Sequence, residues 1–163
     1  MAPSRRSATS PLSLPWPERH SAKTSILCTG TSKHLPSQRR ALIVEDEYLI
    51  AHDLEAAMHD LGFGECAVAP NARQAHSLSM SDPPDVVVVD VCLEGGREGI
   101  EVGRWLREIF EVPVVFVTSY SDDDTVERIH ALVPGAPVLP KPVYTERLGA
   151  AIAEAGRNAV PAS

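Results

Sequence analysis

Four short apolar runs in this chain end in residues able to do chemistry. Ala41–Val44 is followed by Glu45 and Asp46, the valines Val86–Val89 by Asp90, Val114–Val117 by Thr118, and Val138-Leu139-Pro140 by Lys141. Gathered at one place, three carboxylates repel one another, and burial raises their pKa values further. A hard divalent cation relieves both problems, and Mg²⁺ in particular binds through few carboxylates while keeping waters and substrate phosphate. Such a cation beside a carboxylate points to phosphoryl transfer onto that carboxylate, a form of nucleophilic catalysis. Lys141 then acts as a point charge for phosphoryl oxygens. Thr118 offers them a hydroxyl, which couples charge to loop position.

For these residues to meet, the elements carrying them must run side by side. The runs Ala41–Val44, Val86–Val89, Val114–Val117 and Val138–Leu139, with a weaker one at Cys66–Ala69, are short and continuous rather than alternating. That pattern predicts parallel strands covered on both faces. Helical spacing fills the gaps. Leu54, Met58 and Leu61 form a stripe that Gly62 terminates, and Asn71 caps a short helix ending before Asp82-Pro83-Pro84. Val102, Leu106 and Ile109 form another stripe. Asp122 or Ser121 caps a helix bearing Val126, Ile129 and Val133, whose acidic first turn suits the dipole. Thr145 caps the last, with Leu148, Ile152 and Ala155 inward. Five strands alternating with five helices predict a doubly wound α/β domain, with helices on both faces of a five-stranded parallel sheet. In such sheets ligands bind at the carboxyl ends of the strands, where the polar residues stand.

Charge divides the chain. Residues 1–40 hold seven Lys or Arg against Glu18 alone, whereas the rest holds 8 basic and 21 acidic residues. The first part is also rich in Ser and Pro without apolar periodicity, so a disordered basic extension is expected over 1–40, a domain over 41–157 and a short tail over 158–163. An organelle transit segment or a basic tail for an acidic partner are functional readings of the extension; a dispensable one is the plain reading. The net charge of −7 argues against a nucleic-acid partner. Cys28, Cys66 and Cys92 form no C-x-x-C pair, and the odd count suits a reducing compartment. No apolar run approaches membrane-spanning length, so a cytoplasmic location without membrane association is expected.

The runs Leu42-Ile43-Val44-Glu45-Asp46-Glu47, Val88-Val89-Asp90, Phe116-Val117-Thr118-Ser119 and Leu139-Pro140-Lys141-Pro142 resemble the receiver domain of bacterial response regulators over about residues 41–157. The resemblance implies a flavodoxin-like sheet of strand order 2-1-3-4-5 and two-component signalling. It makes Asp90 the phosphoacceptor, assigns Mg²⁺ to Glu45, Asp46, Asp90 and the backbone carbonyl of Cys92, and gives Thr118 and Lys141 the switch-hydroxyl and phosphate-binding roles. The phosphodonor it implies is a histidine kinase or histidine phosphotransfer protein. Two positions depart from the pattern. Val138 stands where the family often has an aromatic switch residue, which puts the usual hydroxyl-to-aromatic relay in doubt. Ser119 replaces the glycine of a Phe-x-Thr-Gly subclass of stand-alone receivers, in which Tyr120 or loop order would carry the signal.

Plainer roles fit the remaining candidates. Glu47 is expected to cap or solvate the first helix and Cys92 to be a small, inert loop residue. His52, His59, His76 and His130 show no metal-ligand arrangement. Asp122-Asp123-Asp124 reads as helix capping, and Gly95, Gly96 and Gly99, without a following Gly-Lys-Ser/Thr, as a flexible loop. The expected function is a phosphorylation-controlled module, not an enzyme, acting through an unidentified downstream protein without an output domain. Alternatives are an aspartyl-phosphate phosphohydrolase, which would need Asp-x-Asp where this chain has Asp90-Val91-Cys92, and a receiver-like scaffold that is not phosphorylated.

Overall fold

In the computed structural model, which describes residues 39–119 and 122–159, the apolar runs form the strands of one parallel sheet. In chain order the elements are β1 (Arg40–Val44), α1 (Tyr48–Asp60), β2 (Glu65–Ala69), α2 (Ala72–Ser81), β3 (Val86–Asp90), α3 (Glu98–Phe110), β4 (Val114–Thr118), α4 (Asp123–Leu132), β5 (Val138–Pro140) and α5 (Thr145–Ala159). The sheet order is β2-β1-β3-β4-β5, so strand order reverses at β1 and β3.

Why the central runs are continuous is visible in the two cores. Successive side chains of a strand point to opposite faces. Leu42, Val44, Val87, Val89, Val114 and Phe116 pack on one face with Ala75 of α2, Ile100 and Leu106 of α3 and Ile129 of α4. Ala41, Ile43, Val86, Val88, Val115 and Val117 pack on the other with Leu54 and Met58 of α1 and Leu148, Ile152 and Ala155 of α5. No strand position at the centre faces water, so none needs to be polar until the strand ends.

The capping residues act as expected at two helices. Asn71 accepts a hydrogen bond from the Gln74 amide at 3.0 Å and Asp122 one from the Thr125 amide at 2.7 Å. Gly62, just past α1, takes a left-handed φ of +89°.

Other expectations shift. β1 begins at Arg40, inside the segment expected to be disordered: its amide donates to Asp85 Oδ2 at 2.8 Å and its guanidinium pairs with Asp82. α5 starts at Thr145 itself, the Leu148 amide bonding the Tyr144 carbonyl at 2.9 Å, so the capping position lies upstream. It also runs to Ala159, past the expected domain end at 157. Ile109 is not inward but 57% exposed. The buried face of α3 is instead centred on Gly99, Gly103, Leu106 and the half-buried Phe110, which follow helical spacing. Two of those positions are glycines, which carry no apolar signal.

Residues 1–38, with Cys28, and residues 120–121, with Tyr120 and Ser121, lie outside the described residues, as does most of the expected C-terminal tail. Among the described residues no helix is long and apolar enough to cross a membrane.

Candidate functional site

The parallel register carries the strand ends to one edge. Asp90, the last residue of β3, lies opposite Val117, and Thr118, the last of β4, lies opposite Pro140. The Lys141 amide then donates to the Thr118 carbonyl at 2.9 Å, which fixes where the lysine leaves the sheet. At the end of β1 the Glu45 amide bonds the Ala69 carbonyl at 3.0 Å, continuing the ladder one residue beyond the apolar run.

One buried ammonium joins two buried carboxylates there. Lys141 Nζ lies 2.7 Å from Glu45 Oε2 and 2.7 Å from Asp90 Oδ2. The bond to Asp90 is an aligned hydrogen bond, whereas that to Glu45 is an ion pair without such alignment. Backbone amides complete the carboxylates. The Cys92 amide donates to Asp90 Oδ1 at 3.0 Å, the Glu47 amide to Glu45 Oε1 at 3.2 Å, and the Glu94 amide to the exposed Asp46 Oδ2 at 3.1 Å. The last contact ties the β3–α3 loop to the end of β1, and Glu94 adopts φ +50° to make the turn.

The electrostatics follow from burial. Burial pushes the Glu45 carboxyl above its ordinary value, opposed by the close ion pair with Lys141 and aided by the charge of Asp90. Burial alone would lower the Lys141 ammonium, yet its hydrogen bond to Asp90, its close contact with Glu45 and the charges of both outweigh it, so its pKa rises. The lysine stays charged, but one cation cannot neutralise two carboxylates and the neighbouring Asp46. A carboxylate oxygen from each of Glu45, Asp46 and Asp90 lies within 4.8 Å of the others, a group able to hold a metal ion. An all-oxygen set with an excess of negative charge fits a hard divalent cation.

Most sequence-predicted site residues therefore meet. Glu45, Asp46, Asp90 and Lys141 are brought together, and Thr118 is fully buried at the end of the adjoining strand. Cys92 sits beside Asp90 through its amide, and its thiol pKa is raised by burial and then by the charge of Asp90. That suits an inert thiol. Glu47 occupies the N-cap of α1 but its side chain makes no capping bond; its amide serves Glu45 instead. Val138 is half-buried opposite Phe116, so β5 carries no aromatic side chain at that place. His52, His59, His76 and His130 are all exposed, and His76 stacks on Trp105 with ring centroids 4.4 Å apart.

Sequence reasoning missed the contacts made by backbone, namely the amides of Cys92 and Glu94. It also missed Arg97, whose guanidinium reaches Asp122 at 3.5 Å and spans the β3–α3 and β4–α4 loops. Nothing in residue type alone marks such roles, although the glycines at 95, 96 and 99 mark the loop that makes them possible.

This arrangement has known relatives. The chain is 40% identical over 82 residues to the phyllosphere-induced regulator PhyR of Methylorubrum extorquens, a match covering 50% of this chain and 31% of PhyR. It is 31% identical over 116 residues to the transcriptional regulatory protein KdpE of Staphylococcus aureus, covering 71% of this chain and 48% of KdpE. Each match thus spans less than half of the relative. Among solved structures, the signal receiver domain of a modulated diguanylate cyclase from Desulfovibrio desulfuricans G20 superposes with a TM-score of 0.65 at 30% identity, over 76% of this chain and 97% of that one. A sensor protein from Polaromonas sp. JS666 shares the fold, with a TM-score of 0.66 at 24% identity over 76% of this chain and all of the other. Residues 41–153 match the response regulator receiver domain family. With strand order, acidic edge and bridging lysine all in agreement, the chain belongs to the receiver domains of two-component response regulators.

Proposed function

We propose that this receiver is a phosphorylation-controlled interaction module that takes a phosphoryl group onto Asp90 from a histidine kinase or histidine phosphotransfer protein, with Mg²⁺, and acts through protein partners. The observation carrying this reading is the pairing of Asp90 with Lys141 Nζ at 2.7 Å beside two further carboxylates. A structural ion pair needs one acid for one lysine; the surplus acids call for a cation, and a cation beside an oriented carboxylate suits transfer of a phosphoryl group onto it. Glu45, Asp46, Asp90 and the Cys92 carbonyl would hold the ion. When bound, it supplies positive charge to the transferring phosphoryl oxygens.

The chain's own residues supply position and charge. Asp90 is held at both oxygens, by the Cys92 amide and by Lys141, so its carboxylate is oriented before a donor arrives. An Asp90 oxygen forms the new P–O bond as the P–N bond to the donor imidazole breaks, and the imidazole leaves with the bonding pair. Lys141 turns from the two carboxylates to the phosphoryl oxygens, and Thr118 donates its hydroxyl to the same group. Later attack by water on phosphorus returns Asp90 and inorganic phosphate. Position 92 holds a cysteine where an aspartyl-phosphate phosphohydrolase has its general acid, which favours a signalling module over such an enzyme. A reducing, cytoplasmic setting suits the unpaired Cys66 and Cys92, and the net charge of −7 disfavours a nucleic-acid partner.

A small phosphodonor such as phosphoramidate, with Mg²⁺, should add one acid-labile, hydroxylamine-sensitive phosphoryl group. Intact mass should show it on the wild type and not on Asp90→Asn. A comparable adduct on the Asn variant would overturn the assignment.

A further inference from the structure

We infer that Gly99 is a positioning residue for Asp90: the first turn of α3 sits directly on the peptide that follows the phosphoacceptor, and only a residue without a side chain fits there. The inference rests on Asp90 being the acceptor. A Cβ at Gly99 would lie 1.7 Å from the Asp90 carbonyl oxygen, 2.8 Å from its carbonyl carbon and 3.0 Å from the Val91 Cα. All three are backbone atoms, so no side chain can swing aside. The Gly99 amide also reaches back to the Val91 carbonyl at 3.3 Å, which makes the contact mutual.

The conformation of Gly99 does not require glycine, since its φ is not in the left-handed region, unlike Gly62, Gly95 and Gly135. Close approach is the whole reason. With real Cβ contacts essentially never under 3.0 Å, a methyl here forces a separation of at least about 1.3 Å between α3 and the end of β3. β3 is laddered to β1 as far as Val89 and to β4 as far as the Val91 amide, which donates to the Val117 carbonyl at 3.0 Å, and Ile100 and Leu106 anchor α3 in the core. Between them lies Cys92–Glu98, where every residue but the buried Leu93 is exposed or partly exposed. That segment carries the Cys92 amide, which holds Asp90 Oδ1, and the Glu94 amide, which holds Asp46. Strain placed at Gly99 thus falls on the contacts that aim the acceptor and an acid of the proposed metal site.

Gly103 provides the matched control on the same helix face, one turn away. A Cβ there would lie 2.4 Å and 2.6 Å from ring atoms of Phe116, a clash with a core side chain rather than with the backbone of the acceptor. Gly99→Ala and Gly103→Ala are therefore both expected to destabilise, but only the first should slow phosphorylation.

The test measures phosphoramidate-dependent phosphorylation of the wild type, Gly99→Ala and Gly103→Ala, normalised to the folded fraction, with Asp90→Asn as the blank. Donor concentration is varied to separate binding from the maximal rate. Gly99→Ala should lose on the order of ten- to a hundredfold in the maximal rate, as expected for misplacement near 1 Å, and should bind Mg²⁺ more weakly by calorimetry. Gly103→Ala should stay within about twofold of wild type in both. If Gly99→Ala is largely unfolded, all proteins are compared in trimethylamine N-oxide, which favours the folded state. A wild-type rate and Mg²⁺ affinity for Gly99→Ala, or an equal loss in Gly103→Ala, overturns the inference. Phosphorylation of Asp90→Asn would instead overturn the choice of acceptor.

Discussion

Replacing Lys141 by Met tests the electrostatics at the acidic edge most directly. Met keeps most of the stem and removes only the cation, leaving Glu45 and Asp90 facing each other with side chains 0% and 5% exposed. Removing one partner of a buried ion pair costs about 3–5 kcal/mol, because the other charge is left unpaired. A way out exists, since Glu45 can take up a proton. From its ordinary value of 4.5 that uptake costs about 3.4 kcal/mol at pH 7, at about 1.36 kcal/mol per unit. This route limits the loss to about 3 kcal/mol, or roughly 10 °C in Tm for a domain of this size.

The sign of the pH dependence follows. Lys141 lowers the Glu45 carboxyl in the wild type, so its removal lets burial raise that carboxyl further. The folded variant then binds a proton more tightly than the unfolded chain, and its stability falls as pH rises above 4.5 toward the folded value. Lys141 in the wild type has a raised pKa, so its contribution is complete below its ordinary value of 10.5 and is lost only above it. At pH 5.5 protonating Glu45 costs about 1.4 kcal/mol, so the deficit should shrink by up to about 2 kcal/mol between pH 7 and 5.5, less whatever slope the wild type shows. Urea unfolding in EDTA at the two pH values, followed through the half-buried Trp105, measures this. The double variant with Glu45→Gln should show a flatter profile. A deficit equal at both pH values, or larger at pH 5.5, would refute the reasoning.

Two more outcomes are expected. Asp46→Ala should weaken Mg²⁺ binding by about tenfold or more in calorimetry, through loss of a carboxylate from the acidic group, and unchanged affinity would place the ion elsewhere. The Cys66 thiol, pushed up to about 11 by burial and then by the charge of Glu55, should be alkylated by iodoacetamide at pH 7.5 roughly a hundredfold more slowly than a thiol at the usual value; peptide mapping that finds Cys66 labelled as fast as free cysteine would contradict its burial.

The fold was legible where both faces of a strand are buried, because Val86–Val89 and Val114–Val117 can then be apolar throughout and stop only at the ligand edge. The charged site was legible for the same reason. A strand whose side chains all face cores can place Asp90 or Thr118 only at its end, so position along the run reported position in space. What stayed hidden is carried by backbone or by absence of side chain. Arg40 belongs to β1 through its backbone pairing with Glu65 of β2, yet its side chain reads like the basic segment before it. The α3 face was misplaced onto Ile109 because its centre is Gly99 and Gly103, which score as gaps in an apolar stripe although they are the positions of closest packing.

That division also describes how the site is built. Four side chains at three strand ends determine its charge, and any substitution among Glu45, Asp46, Asp90 and Lys141 changes the ionic balance at once. Its geometry is set by the Glu47 amide at the start of α1 and by the amides of Cys92 and Glu94 in a loop that turns with Glu94 at φ +50° and Gly95 at φ +81°, with α3 close behind. A loop held this way can be altered without touching a charge. Phosphorylation at Asp90 would act on it directly, because the incoming group competes for Lys141 while the Cys92 amide sits on the same carboxylate. The same loop reaches the start of α4 through the ion pair of Arg97 with Asp122 at 3.5 Å, while β5 carries Val138 in place of an aromatic.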